Sequence, residues 1–149
     1  RLSNGFATDR GFFRFFSLEA LLTQSRQGMG AFQSSCDFLA VAEDIFGDQY
    51  GYLFDDAGTR VAKFWCEDTE FEHLPVASLT EFLLDFVLVD GPSAFDEKLA
   101  NAAWREGLQP GPDEHLCFRV PLVAGGQPTL QNLSVVSRAE HYDLLSLLT

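Results

Sequence analysis

The stretch Phe38 to Phe54, FLAVAEDIFGDQYGYLF, constrains this chain more than any other. Two apolar runs of strand character flank a polar corner, Glu43-Asp44-Ile45-Phe46-Gly47-Asp48-Gln49. Phe38 to Ala42 is apolar at every position, so both faces of that segment need cover, as a central strand does. Gln49 to Phe54 reads as the strand that returns beside it. The corner between them requires a tight turn. Gly47 supplies the backbone freedom, and the acids around it are expected to form a solvated rim.

The segments on either side extend the pattern. Gly11 to Phe16 reads as a buried strand, and Ser17 as the cap of a helix over Leu18 to Arg26. Gln27 to Ser35 is rich in Gly, Ser and Gln and reads as a loop. After the corner, Asp55 to Gly58 is a turn, Val61 to Trp65 a strand, and Phe71 to Leu74 a further strand closed by Pro75. Ser78-Leu79-Thr80-Glu81 has capping-box spacing and predicts a helix that ends near Asp90-Gly91-Pro92. A second helix is expected over Phe95 to Glu106, then a Gly/Pro-rich loop over Gly107 to Pro112. Strands over Leu116 to Val120 and Leu133 to Ser137 and a helix over His141 to Leu148 complete the reading. Sequential strands segregated from helices define an α+β fold, with a central, mainly antiparallel sheet flanked by helices. Residues 1–149 form a single domain without an internal linker or repeat.

Other parts of the chain bear on what the polar corner is for. Leu2-Ser3-Asn4-Gly5 precedes Gly11-Phe12-Phe13-Arg14-Phe15-Phe16. An acidic turn, Glu67 to Glu72, follows the Val61 strand, and Pro121-Leu122, Gly125-Gly126 and Asn132-Leu133 come late. With the central EDIFGDQY these elements resemble the SUKH superfamily, the Smi/Knr-type domains. The resemblance implies an α+β, SUKH-like fold, here without the helices that usually precede the Asn-Gly element. It implies a bacterial immunity protein that binds and neutralises a cognate toxin, often a nuclease, and needs no cofactor. Eukaryotic members imply an alternative, a regulatory scaffold in cell-wall control.

Bulk properties fit a binding role. A hydrophobic content of 46% and a charged content of 21% describe a folded chain. The 15 phenylalanines read chiefly as core. A net charge of −12 and a pI near 4.4 disfavour direct contact with nucleic-acid phosphates and suit a basic protein partner. No apolar run is long enough to span a membrane. Cys36, Cys66 and Cys117 are sparse and lack CxxC spacing, so a reducing cytoplasm is the expected compartment. The chain opens on Arg1, and we read it as a processed or trimmed piece, or an incomplete gene product.

Candidate chemistry reduces to a contact surface. Neither Asp44 with Asp48 nor Asp55-Asp56 follows a calcium loop, and His115 with Cys117 is too few ligands for zinc. No G-x-S-x-G elbow is present, and Gly125-Gly126 lacks the lysine of a phosphate loop. A small cysteine hydrolase is the weakest alternative, because the cysteines fall in or beside strands. Aromatic anchors inside a charged rim describe a protein-recognition site. The expected partner-binding residues are therefore Glu43, Asp44, Phe46, Asp48, Gln49, Trp65, Glu67 and Asp68, with Tyr50 and Tyr52 as further anchors.

Overall fold

The computed structural model describes residues 6–7, 12–17, 37–89 and 96–147. The helix expected over Leu18 to Arg26 and the loop over Gln27 to Ser35 lie outside the described residues.

The chain's strands follow one another into a meander. β1 (Phe6–Ala7), β2 (Phe13–Phe15), β3 (Asp37–Asp44), β4 (Gln49–Asp55), β5 (Gly58–Trp65) and β6 (Glu70–His73) pair in sequence order as one six-stranded antiparallel sheet. β3 and β4 sit at its centre, where the apolar run predicted a strand covered on both sides. The register slips at Val41, between Ala40 and Ala42, so the bulge re-aims the end of β3. Gly51 opposes this stretch: a Cβ there would lie 2.0 Å from the Leu39 carbonyl oxygen, so only glycine lets the two backbones approach.

Both faces of the sheet are occupied. Helix α1 begins as Leu79–Glu81 and continues in π-helical winding over Phe82–Val89. Its Phe82 packs on Phe13, Ala42 and Tyr50 on one face. Helix α2 spans Glu97–Arg105, capped by Asp96. Strands β7 (Glu114–Phe118) and β8 (Leu133–Ser137) form a second, two-stranded antiparallel sheet, and helix α3 spans Arg138–Ser146. From α3, Tyr142 and Leu145 cover Phe38, Ala40, Leu53, Ala62 and Phe64 on the other face.

The turn after β3 joins the two sheets. Ile45 leaves the main sheet and enters a core with Phe12, Ala100, Ala103, Leu116, Phe118 and Leu133. Its amide donates to the Phe12 carbonyl at 2.9 Å, and its carbonyl accepts from Leu116 N at 2.8 Å. Full burial of this side chain contributes roughly 1.5–3 kcal/mol and locates β7 beside the turn.

Several boundaries differ from those read in the sequence. β3 runs through Glu43 and Asp44, and β4 begins at Gln49, so the turn is confined to residues 45–48. β5 starts at Gly58, β6 is displaced by one residue from the expected strand, and β7 ends at Phe118 instead of Val120. α3 starts at Arg138, because Ser137 and Glu140 form a reciprocal capping box.

Candidate functional site

Glu43 and Asp44 are adjacent on one strand, so they point to opposite faces of the sheet. Because both faces are covered, both side chains are buried. Glu43, Asp44 and Gln49 are 0% exposed and Asp48 is 7% exposed. The solvated rim expected at this corner is therefore corrected: Glu43, Asp44 and Gln49 lie inside the protein and do not meet solvent.

Each buried group has a structural task. Asp44 Oδ1 accepts from the amides of Phe46 (2.9 Å) and Asp48 (3.2 Å), closing the turn, while Oδ2 accepts from the Tyr50 hydroxyl at 3.1 Å. Burial pushes the Asp44 carboxyl up to about 8, reinforced by the charge of Asp48 and opposed by Lys63. Asp48 Oδ1 accepts from Cys66 N at 3.1 Å, and Oδ2 pairs with Lys63 Nζ at 2.8 Å. Gln49 Nε2 donates to the Tyr142 hydroxyl at 2.9 Å, and that hydroxyl donates to the Gly47 carbonyl at 3.2 Å. The corner is thus tied to β5 and α3 at once.

Glu43 organises the opposite face. Arg138 grips its carboxylate with Nε at 3.0 Å and with Nη2, Arg14 Nη1 lies 3.6 Å away, and His115 Nε2 stands 3.2 Å from Oε2. Burial pushes the Glu43 carboxyl up, but His115 and Arg138 outweigh it and hold it at about 2. Burial likewise pushes the His115 imidazole down to about 4, against the pull of Glu43. His115 Nδ1 faces His141 Nδ1 at 3.1 Å.

On the Asp44 face the structure opens into a cleft of about 360 Å³. Asp44, Phe46, Asp48, Trp65, Glu67 and Asp68 all line it, so of the predicted contact residues the cleft leaves out Glu43, Gln49, Tyr50 and Tyr52. Tyr50 is buried beneath Phe82, and Tyr52 is half-buried on β4. Lys63 forms part of the wall: its ammonium lies 3.2 Å from the centroid of Trp65 and next to Asp48. Trp65 is fixed on its other side by Nε1 donating to Glu72 Oε2 at 2.9 Å, and it remains 38% exposed. Phe46 stacks on Phe118 with ring planes 9° apart. Leu99, Leu122 and Pro128 add apolar wall and Asp96 another carboxylate.

The lining residues that sequence reading missed carried only weak signals. Lys63 is a lone charge within an apolar strand, a sign of a buried counter-ion. Asp96, Phe118 and Leu122 come from distant segments, and nothing local announces that they converge.

Five carboxyl groups and one ammonium stand around the cleft among aromatic rings; Asp44 is fully buried, so Asp48, Glu67, Asp68 and Asp96 are the carboxyls that reach its surface. Among the described residues, no group of three or more His, Cys, Asp or Glu side chains converges to hold a metal. Cys66 and Cys117 are buried, and burial pushes the Cys66 thiol well above its ordinary value and that of Cys117 up to about 12. That is the reverse of what an activated thiolate needs. Cys36 lies outside the described residues. Among the described residues, no helix is long and apolar enough to cross a membrane.

Fold and site together define an α+β domain built on a six-stranded antiparallel meander, with an acidic, aromatic-walled cleft at the β3–β4 turn. The fold resembles that in the crystal structure of Atu4351 from Agrobacterium tumefaciens. The TM-score is 0.66 and the identity 14%, over 97% of this chain and 71% of that one. No protein-family model matches the chain, and no curated protein does.

Proposed function

We propose that this chain is a non-enzymatic protein-binding domain that receives a basic segment of its partner in the cleft. The observation that carries the reading is the cleft's composition, acids and aromatic rings brought together from four separate stretches of chain. Trp65 already holds one ammonium against its ring, that of Lys63, and its exposed surface suits a second cation followed by Glu67 and Asp68. Cation–π attraction and partly desolvated carboxylates favour such a group, and the net charge of −12 steers a basic partner toward the protein. The resemblance of the corner to SUKH domains supports a toxin domain as the partner, a nuclease among the candidates, which this protein would neutralise by covering its basic substrate groove.

The test is association kinetics with the basic partner that the immobilised protein captures from lysate of its native source and releases only at high salt. Asp68 and Asp96 are exposed and lie outside the buried networks. The double reversal Asp68→Lys with Asp96→Lys is expected to slow association by roughly tenfold or more at low salt and to flatten its salt dependence. The same reversal at exposed Glu106, outside the cleft, serves as the control. An unchanged rate and salt dependence in the double variant would remove the cleft from the interface.

A further inference from the structure

The cleft adjoins an open edge of the main sheet. β6 is the last strand of the meander, and among the described residues no strand pairs with its outer side. Leu74 N donates to the Val61 carbonyl at 3.1 Å, so Leu74 turns its amide toward β5. In an antiparallel pair this direction alternates from residue to residue. Glu72 and Glu70 therefore also face β5, and the amides and carbonyls of Phe71 and His73 point away from it. Among the described residues, none hydrogen-bonds to those four groups from the outer side. Such a row is a ready template for another strand.

The side chains along this edge decide which strand it accepts. Glu72 stands opposite Lys63 and Glu70 opposite Trp65, so both glutamates lie on the sheet face from which Lys63 and Trp65 line the cleft. Both are exposed. Glu72 Oε2 accepts from Trp65 Nε1 at 2.9 Å, which joins the edge to the cleft wall. Glu67 and Asp68, in the turn just before the strand, carry the acids on into the cleft. Phe71 lies on the other face, half-buried against Phe38 and Phe64. A second copy of this chain fits the edge poorly. Antiparallel pairing of two β6 strands sets glutamate against glutamate on one face, and like charges directly opposite are destabilising. A basic strand meets the reverse, an attraction at each of these positions.

We infer that a basic segment of the partner adds to β6 as one more antiparallel strand and delivers the residue that follows it into the cleft. The delivery step rests on the binding reading above; the open edge does not. Antiparallel pairing runs the segment from His73 toward Glu70, so its C-terminal end arrives at Glu67 and Asp68. Main-chain bonds to Phe71 and His73 supply affinity, and alternate side chains supply selectivity. The two residues opposite Glu72 and Glu70 lie two apart and are cationic. The residue between them falls beside Phe71 and is apolar. The recognised pattern is therefore basic, apolar, basic, with a further cation beyond it for the cleft. At the usual rise per residue β6 spans roughly 13 Å, long enough for the three paired residues.

The probe is a synthetic peptide of alternating lysine and valine that ends in arginine, titrated into the intact chain by calorimetry. Amide hydrogen exchange read by NMR reports on the edge itself. The Phe71 and His73 amides should exchange about tenfold more slowly when nine-tenths of the protein carries peptide. His73→Pro removes one outward amide and no bond to β5, so it should weaken the peptide by about tenfold with an unchanged urea midpoint. Methylated peptides test the same point on the unsubstituted protein. N-methylation of the alternate amides that face β6 should cost about tenfold or more, and methylation of the intervening amides should not. Unchanged affinity in His73→Pro, or equal effects of the two methylation patterns, overturns the strand addition. If Asp68→Lys with Asp96→Lys still weakens the peptide in that case, the cleft reading stands without the edge. No binding at millimolar peptide also overturns the inference, and the captured partner's association kinetics then judge the cleft alone. A dimer of the free protein that His73→Pro dissociates would put a second copy on the edge and overturn it too.

Discussion

Gly47 shows at the scale of one residue how closely the corner is fitted. Its φ of +89° belongs to the left-handed region, and a Cβ on it would stand 2.8 Å from His115 Nδ1 and 3.1 Å from His141 Nδ1. An alanine there meets two costs, the strained backbone and displacement of the histidine pair. Left-handed backbone alone costs a non-glycine residue roughly 1–2 kcal/mol, so Gly47→Ala is expected to lower stability by about 2 kcal/mol or more. Urea unfolding at constant slope measures it, and a midpoint equal to that of the unsubstituted protein would mean the turn relaxes freely. The need for glycine at this position was legible in the sequence; its neighbours were not. Alternation along β3 sends Glu43 and Asp44 to opposite faces, and sequence alone does not say that both faces are covered. Their acidity therefore read as solvated when it is paired, with Arg138 on one side and Lys63 on the other.

At the scale of an element, the junction of β8 and α3 decides whether the sheet face that carries Phe38, Ala40 and Leu53 is closed. Ser137 Oγ accepts from Glu140 N at 3.2 Å, and Glu140 Oε2 accepts from Ser137 N at 3.1 Å, so two otherwise unpaired amides are satisfied in one step. The cap sets the direction in which α3 leaves the strand, and with it the placement of Arg138, His141, Tyr142 and Leu145. Ser137→Ala should cost about 1 kcal/mol, read as a shift of the urea midpoint with an unchanged slope. A cost within about 0.3 kcal/mol of zero, the size of an inconsequential surface change, would assign the helix start to packing alone. The capping pattern is present in the sequence at Ser137 and Glu140, ahead of the apolar residues that mark the helix from His141. In α1 the winding differs. The Ser78 cap forms, with Oγ accepting from Glu81 N at 3.1 Å, yet only Leu79–Glu81 is wound as an α-helix before the π-helical stretch. The apolar spacing that suggested a helix does not distinguish the two windings. The meander itself was legible, because each strand and each turn is announced locally. The second sheet's attachment through Ile45 and Leu116 was not, because it depends on a contact between distant segments.

At the scale of the whole molecule, two buried networks give stability opposite dependences on pH. Glu43 is held at about 2, below its ordinary 4.5, and His115 at about 4, below its ordinary 6.5. Both release protons more readily in the folded state, so their contribution is fully present above the unfolded values. It is lost as pH falls, first through the window from 6.5 to 4 and then from 4.5 to 2. Asp44 behaves in reverse. Its carboxyl is raised from 3.8 to about 8 by burial and by Asp48, so its contribution is present below 3.8 and declines as pH rises through about 8. Stability should therefore fall on both sides of an intermediate maximum, with Glu43 and His115 responsible for the acid limb and Asp44 for the alkaline one. Asp44→Asn keeps an oxygen for the amides of Phe46 and Asp48 but cannot ionise, so the alkaline limb should flatten while the acid limb stays. Glu43→Gln leaves Arg138 with Asp113 as its remaining carboxylate and should lower stability at neutral pH by roughly 1–3 kcal/mol, with the acid limb made shallower. Urea unfolding across the pH range, on the original chain and both variants, separates these effects. An alkaline decline that persists unchanged in Asp44→Asn would assign it to the general repulsion of a chain carrying a net charge of −12 instead of to this carboxyl.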